Sequence, residues 1–307
     1  IHILDYLLKN TNSKIYCMVK KRYNVSPEKR LENLLNYYFD KTYYTQYKSR
    51  IIIIEGDLSK DNFDLIKNDY IKLQNCIDCI INTASITKHY GSYSNFEKTN
   101  VESVKNLILF AKPLNIILNH ISTTTVSGNY LVDNDINYKF TENDLYIGQN
   151  YMDNVYVRSK FEAEKLIIEE EANGLRANIF RLGNLMARYS DGLFQKNKFD
   201  NAYYTRLLAL VKLGCLPDNL KHQYLEFTPI DETAEAIIKI LKIPSLENSI
   251  FHIFSNKLIS INVLLNVFKQ YGYTCKFIDY DKFIEKLYLQ KNEKILKYII
   301  SDLNTSK

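Results

Sequence analysis

The chain of 307 residues has no tryptophan, only nine glycines and five prolines, and no glycine before Gly56. No apolar run approaches the roughly 18 to 20 residues that cross a bilayer, and no basic segment leads into a signal-peptide core at the start. Membrane and secretory readings are therefore set aside, and the chain reads as cytoplasmic. The five cysteines are an odd number in a chain long enough to fold without staples, so reduced thiols are expected. Cys76 and Cys79 form a C-x-x-C inside "NCIDCIIN", but with no second pair or histidine cluster the expectation is core packing, not redox or metal chemistry. His89, His120, His222 and His252 are not spaced as ligands, and no metal is expected. The formal charge of +5 is spread without basic blocks, which gives no support to a nucleic-acid face. The 25 tyrosines and 15 phenylalanines are read as compositional bias, not as a base-stacking surface.

What is present is a rhythm. Short runs rich in isoleucine and valine, "KIYCMV" (14 to 19), "RIIIIEG" (50 to 56), "CIDCIIN" (76 to 82), "NIILNHIS" (115 to 122) and "RANIFRL" (176 to 182), alternate with longer stretches of helical period. Unbroken apolar runs suit strands covered on both faces, and the helices between them suit crossovers in a parallel sheet. The fold class is therefore α/β, a doubly wound parallel sheet. After residue 183 the spacing predicts helices at about 198 to 213 and 231 to 242 and a strand at 249 to 254, a smaller C-terminal domain laid over the edge where open α/β sheets bind ligands. A dinucleotide fold also needs a glycine-rich turn after its first strand, and none precedes Gly56. Either the sequence lacks the beginning of the natural protein, or it binds no dinucleotide.

In "NVYVRSKFEAEKL" (154 to 166), Tyr156 and Lys160 stand four apart, one turn along one helix face, where an ammonium near a phenol would favour the ionised form. The interval alone says little, because it recurs at Tyr16/Lys20, Tyr37/Lys41 and Tyr44/Lys48. A tyrosine acting as general acid toward a carbonyl also needs a hydroxyl to hold the oxygen and a cofactor at strand ends. "NHISTTTVSG" (119 to 128) ends one run in hydroxyls, "IINTAS" (80 to 85) ends another in small residues, and "EGDLS" (55 to 59) sets Asp57 at a third. Taken singly, these read equally well as a threonine-rich strand end and a helix N-cap.

"STTTVSG", "YVRSK", "NTAS" and "GDL", in this order, resemble the extended short-chain dehydrogenase/reductases. More closely, "RLGNLMARYSDGLFQKNKFDNAYYTRLLALVKLGCLP" (181 to 217) and "LEFTPIDETAEAI" (225 to 237) resemble the terminal thioester reductase domains of nonribosomal peptide synthetases, relatives of carboxylic acid and fatty acyl reductases. The family's TGxxGxxG loop precedes the helix that "IHILDYLL" resembles, so the expectation is a fragment lacking the first strand and glycine loop. The resemblance implies a Rossmann-like NADP-binding domain over 1–185 with 225–255 returning to it, and a substrate and carrier subdomain from 186–224 and 256–307. It implies NADPH-dependent reductive release of a carrier-bound peptidyl or acyl thioester as an aldehyde, possibly on to the alcohol. A coenzyme A or sugar-nucleotide reductase, or a non-catalytic NADP-binding scaffold, are the alternatives.

By the same resemblance, Tyr156 is the proton donor, and Lys160 holds the nicotinamide ribose and lowers the tyrosine pKa. Thr123 is the third member of the triad, flanked by Thr124 and by Ser122, which is assigned to the substrate side. Lys20 and Arg30 match positions that hold the 2′-phosphate of NADP, and no acidic residue stands there for a ribose diol. The bland reading of Arg30 is an ion-pair partner on a helix with Glu28 and Glu32. Asp57 and Leu58 edge the adenine, Ala84 lies on the nicotinamide side, and Gly183 and Asn184 form the loop near substrate. Asp191, Phe194 and Gln195 shape a channel for the phosphopantetheine arm. The implied partner is a peptidyl or acyl carrier domain, upstream in the same polypeptide.

Overall fold

The computed structural model describes residues 1–21, 24–134, 136–290, 293–296 and 299–300. Part of the tail assigned above to the smaller domain thus lies outside the described residues. Every expected strand forms: β1 Ile15–Val19, β2 Ile51–Glu55, β3 Cys79–Asn82, β4 Ile117–Thr123, β5 Ala177–Leu182 and β6 Ser249–Ile253. β6, β5, β4 and β3 lie side by side in one parallel sheet, and β1 pairs in parallel with β2. Among the described residues no strand pairs with both β1 and β3, so the ladder is interrupted there.

Helices cover both faces, because side chains alternate along each strand. On one face Leu118, Ala177 and Ile179 meet Val104, Leu107 and Ile108 of α4 (Ser103–Ala111) and Ala163 and Ile167 of α5 (Val155–Glu171). On the other, Phe180 and Leu182 meet Ile237 and Ile238 of α7 (Ile230–Leu241) and the flank of α1 (His2–Asn10). β5 is buried along its whole length, and each such Ile, Leu or Phe contributes about 1.5–3 kcal/mol by leaving water.

Burial on both faces does not extend to every apolar run. β1, β2 and β3 are largely half-buried. The expected core packing of the C-x-x-C is also overturned, since Cys76 and Cys79 are both exposed. Cys76 stands in the turn before β3 and Cys79 is its first residue, on the edge strand of the four-stranded sheet, which has β4 on one side and, among the described residues, no paired strand on the other.

Past β5, the chain forms a short parallel contact between Leu185–Met186 and Thr228–Pro229, then α6 (Ala202–Leu213). Two further small ladders join Leu258–Ser260 to Tyr224–Glu226 and Lys276–Ile278 to Cys215–Pro217. α6 forms part of a separate cluster with Phe283 and Leu287, away from the main sheet.

Candidate active site

α5 begins at Asn154, whose side-chain oxygen accepts from the amides of Tyr156 at 2.9 Å and Val157 at 3.2 Å, satisfying two of the first-turn donors. From there Tyr156, Ser159, Lys160, Ala163, Glu164 and Ile167 form the buried stripe. Their spacing follows an amphipathic helix, but three of the six are polar or charged. Such groups stay buried only with partners, and the partners define the site.

Lys160 is 3% exposed and donates to the Ile121 carbonyl of β4 at 2.8 Å. Burial pulls its ammonium down to about 8, against an opposing pull from Glu164. Glu164 accepts from Arg181 Nε at 2.9 Å and Nη2 at 2.8 Å, and both side chains are fully buried. Burial pushes the Glu164 carboxyl up, against the pull of Arg181, Ser122 and Lys160. The remaining guanidinium donors reach the carbonyls of Thr141 and Asp144 and the Nε2 of His252.

Strand alternation separates the two candidate hydroxyls. Ser122 points under α5 and donates to Glu164, so it is committed to the ion pair and not to the substrate side expected of it. Thr123 ends β4, where its hydroxyl lies 3.0 Å from that of Thr125 and accepts from the Thr125 amide at 3.2 Å, on the side of the strand end that faces the Tyr156 phenol. The turn that follows closes at Gly128, whose φ of +58° and 3.1 Å distance from a hypothetical Cβ to Gln149 Cβ both favour glycine. Burial pushes the Tyr156 phenol up to about 12, and the Thr123 hydroxyl pulls the other way. The expectation that Lys160 lowers this pKa is not met in this structure. The ammonium goes to the Ile121 carbonyl, and burial governs the phenol.

At the ends of β1 and β2, Lys20 forms an ion pair with Asp57 at 2.7 Å, and Arg30 donates to the Lys20 carbonyl. Asp57 also accepts from the Ser59 hydroxyl at 2.7 Å and amide at 3.1 Å, a turn-type bond in place of a helix cap. Burial pushes the Asp57 carboxyl up, but Lys20 and Ser59 outweigh it and hold it below the usual range. Leu58 offers its carbonyl to Asn106 at 2.9 Å. The amide of Ala84, past β3, donates to Asn82 at 3.1 Å.

Gly183 leaves β5 where a Cβ would lie 2.6 Å from Phe254 Cβ and 2.8 Å from Glu226 Oε2 and Thr228 Oγ1. The Asn184 amide donates to that same Glu226 oxygen at 2.6 Å. In the long motif, Asp191 is exposed and holds a turn, accepting from Arg188 Nε and the Leu193 amide, each at 2.9 Å. Phe194 accepts from the Tyr37 hydroxyl through its carbonyl at 3.0 Å, while its ring meets Tyr204. Gln195 donates to the Asn197 carbonyl at 3.0 Å. Thr123, Tyr156 and Lys160 are thus gathered by β4 and α5, and Lys20, Arg30 and Asp57 by β1, β2 and the helix Pro27–Tyr38 between them. Asp191 serves the shape of its own loop.

The Glu164–Arg181 pair and Glu226 escaped the reading of the sequence. A signal existed for the first: an arginine inside the apolar run "RANIFRL", and a glutamate four residues beyond Lys160.

Comparison with known proteins bears on this arrangement. Residues 1–237 match the family described as Male sterility protein, a family of NAD-binding domains. The chain is 25% identical to the L-2-aminoadipate reductase large subunit of Candida glabrata over 99% of its own length, which is 23% of that protein. It resembles the solved thiolation-reductase di-domain from an archaeal non-ribosomal peptide synthetase, with a TM-score of 0.84 and 33% identity, covering 98% of this chain and 63% of that one. The terminal R domain from the myxalamid PKS-NRPS pathway shares the fold, with a TM-score of 0.80 at 20% identity, over 98% of this chain and 74% of that one. The curated relatives are longer proteins, of which this chain spans less than a quarter.

Proposed function

The chain belongs to the Male sterility protein family of NAD-binding domains, and from that premise we propose that it is an NADP(H)-dependent thioester reductase that releases a carrier-bound acyl or peptidyl group as an aldehyde. One observation carries the reading. Thr123, at the C-terminal end of a central parallel strand, and Tyr156, in the first turn of the helix packed over it, lie together where open α/β sheets bind their ligands. Relatives matched over nearly the whole chain include an L-2-aminoadipate reductase large subunit, a thiolation-reductase di-domain and a terminal R domain.

The residues present fit the cofactor. Lys20 and Arg30 supply two cationic side chains at the ends of β1 and α2 (Pro27–Tyr38), suited to a 2′-phosphate, which would compete with Asp57 for the Lys20 ammonium. Asp57 and Leu58 would edge the adenine, and Ala84, Lys160, Gly183 and Asn184 would line the nicotinamide end. When bound, the reduced cofactor supplies a hydride. The chain's own groups manage the oxygen and the proton. Thr123 and Tyr156 donate hydrogen bonds to the thioester carbonyl oxygen, and their hold strengthens as charge gathers there. Tyr156 then gives its proton to that oxygen, a role suited to a phenol that burial keeps protonated. The carbon–sulfur bond of the resulting thiohemiacetal breaks, leaving an aldehyde, and the thiol leaves with a proton. Lys160, one turn along α5, holds the ribose and restores the tyrosine proton in this reading.

The segments 1–185 and 225–255 form the cofactor unit in this reading, and 186–224 with 256–307 the substrate and carrier unit. Phe194 and Gln195 border the approach of the phosphopantetheine arm. A peptidyl or acyl carrier domain is the partner, as in the di-domain the chain resembles. The test is NADPH consumption and aldehyde formation from an acyl-pantetheine thioester by the purified protein. Turnover with NADPH in preference to NADH supports the reading. A folded protein that binds NADPH but reduces no thioester overturns it.

A further inference from the structure

The loop after β3 is fastened at three points. Asn100 accepts from the Ile86 amide at 2.8 Å, and its own amide donates to the Ile86 carbonyl at 3.1 Å and to Ser159 on α5 at 2.9 Å. The Ser159 hydroxyl donates in turn to the carbonyl of Tyr156 at 2.9 Å. Lys88 reaches Asp200, before α6, at 3.3 Å. Between these anchors and the active site stands His89. Its ring lies against the phenol of Tyr156, with centroids 4.9 Å apart and planes inclined at 36°.

The tautomer follows from the neighbours. The side-chain oxygen of Asn154 is occupied by the amides of Tyr156 and Val157, so its nitrogen is the group that faces His89 Nδ1, at 3.4 Å. Nδ1 therefore accepts, and the ring proton resides on Nε2. Burial, reinforced by the Arg206 cation, pulls the imidazole down to about 3, so it stays neutral. Neutrality matters here, because an imidazolium against the phenol would favour the phenolate before the carbonyl oxygen needs its proton.

We propose that His89 is a positioning residue for proton transfer: its ring holds the Tyr156 phenol toward Thr123, and its Nδ1 ties the Asn154 cap of α5 to the fastened loop. This rests on the reading of Tyr156 as the proton donor. A histidine that only filled space would, when removed, lower stability without a rate loss that depends on the Tyr156 hydroxyl.

The experiment joins a double-mutant cycle to a probe on the cofactor-free protein. His89→Ala is expected to lower single-turnover reduction of an acyl-pantetheine thioester about tenfold, as a misplaced catalytic group does, with the KM for NADPH unchanged. His89→Phe, which keeps an aromatic ring there, is expected to recover most of that loss. In a Tyr156→Phe background, already slowed, His89→Ala is expected to cost nothing more, because no phenol proton remains to be aimed. With 3-fluorotyrosine placed at position 156, the cofactor-free protein should give one fluorine resonance that shifts and broadens in His89→Ala. An equal loss in both backgrounds, or an unmoved fluorine line, overturns the proposal. Tyr156→Phe as fast as the parent overturns its premise instead, and the fluorine signal still reports whether His89 holds the ring.

Discussion

Lys160→Met in the cofactor-free protein tests the electrostatics of the site most directly. The ammonium is held in the interior by one carbonyl, that of Ile121, and by the attraction of Glu164. Its pKa falls from an ordinary 10.5 to about 8, so keeping it charged at neutral pH costs about 3 kcal/mol of stability at ~1.4 kcal/mol per tenfold change in proton affinity. The sign follows from proton counting. Between pH 8 and 10.5 the unfolded chain binds the proton more tightly than the folded one, so stability from this group rises with pH and the penalty is full only below pH 8. Methionine has no charge to bury, at the loss of a hydrogen bond of about 1 kcal/mol. The variant should therefore be more stable than the parent by about 2 kcal/mol at pH 7, which is roughly 4 °C in Tm. The gap should narrow by about 1 kcal/mol at pH 9, as the parent lysine sheds its proton. Thermal unfolding of both proteins at pH 7, 8 and 9 measures this. A gap that stays constant with pH, or a parent more stable at pH 7, would refute the reasoning.

Other expectations are smaller in scope. Tyr156→Phe should leave NADPH binding intact and slow thioester reduction by roughly 10² to 10⁴, as loss of a general acid does; paired titration and turnover measurements check both halves. Lys20→Ala should weaken NADPH binding at least about tenfold with little change for NADH, and isothermal titration with the two cofactors separates these outcomes. Arg181→Met strands the buried Glu164 carboxylate and should cost about 3–5 kcal/mol, visible as a large fall in the urea midpoint. Gly183→Ala drives a methyl into Phe254, Glu226 and Thr228 and should cost about 1–3 kcal/mol, read from the same denaturation curves.

The strands were legible because parallel strands buried by helices leave apolar runs that no other element needs, and β5 shows the signature in full. The four Tyr/Lys intervals could not be ranked that way. Tyr16 and Lys20 fall on and just past a strand, where four residues span about 13 Å. Lys41 lies beyond the end of α2, which carries Tyr37. Tyr156 and Lys160 alone of the four share a long helix seated on the central sheet. The resemblance already favoured Thr123 over Ser122, but that Ser122 is spent on Glu164 required knowing which face of β4 meets α5, since adjacent strand residues point opposite ways. The pairing of Lys20 with Asp57 is likewise a meeting of side chains 37 positions apart.

The sequence by itself determined the order of strands and helices, the helix carrying Tyr156 and Lys160, and the hydroxyl-rich end of β4, because these rest on periodicity and composition within short windows. Tertiary structure alone decided that Ser122 serves a buried ion pair, that Lys160 donates to the Ile121 carbonyl, and that His89 lies against Tyr156. Each of these depends on which distant groups burial brings within hydrogen-bond reach, and a buried polar group accepts whichever partner spares it the loss of water.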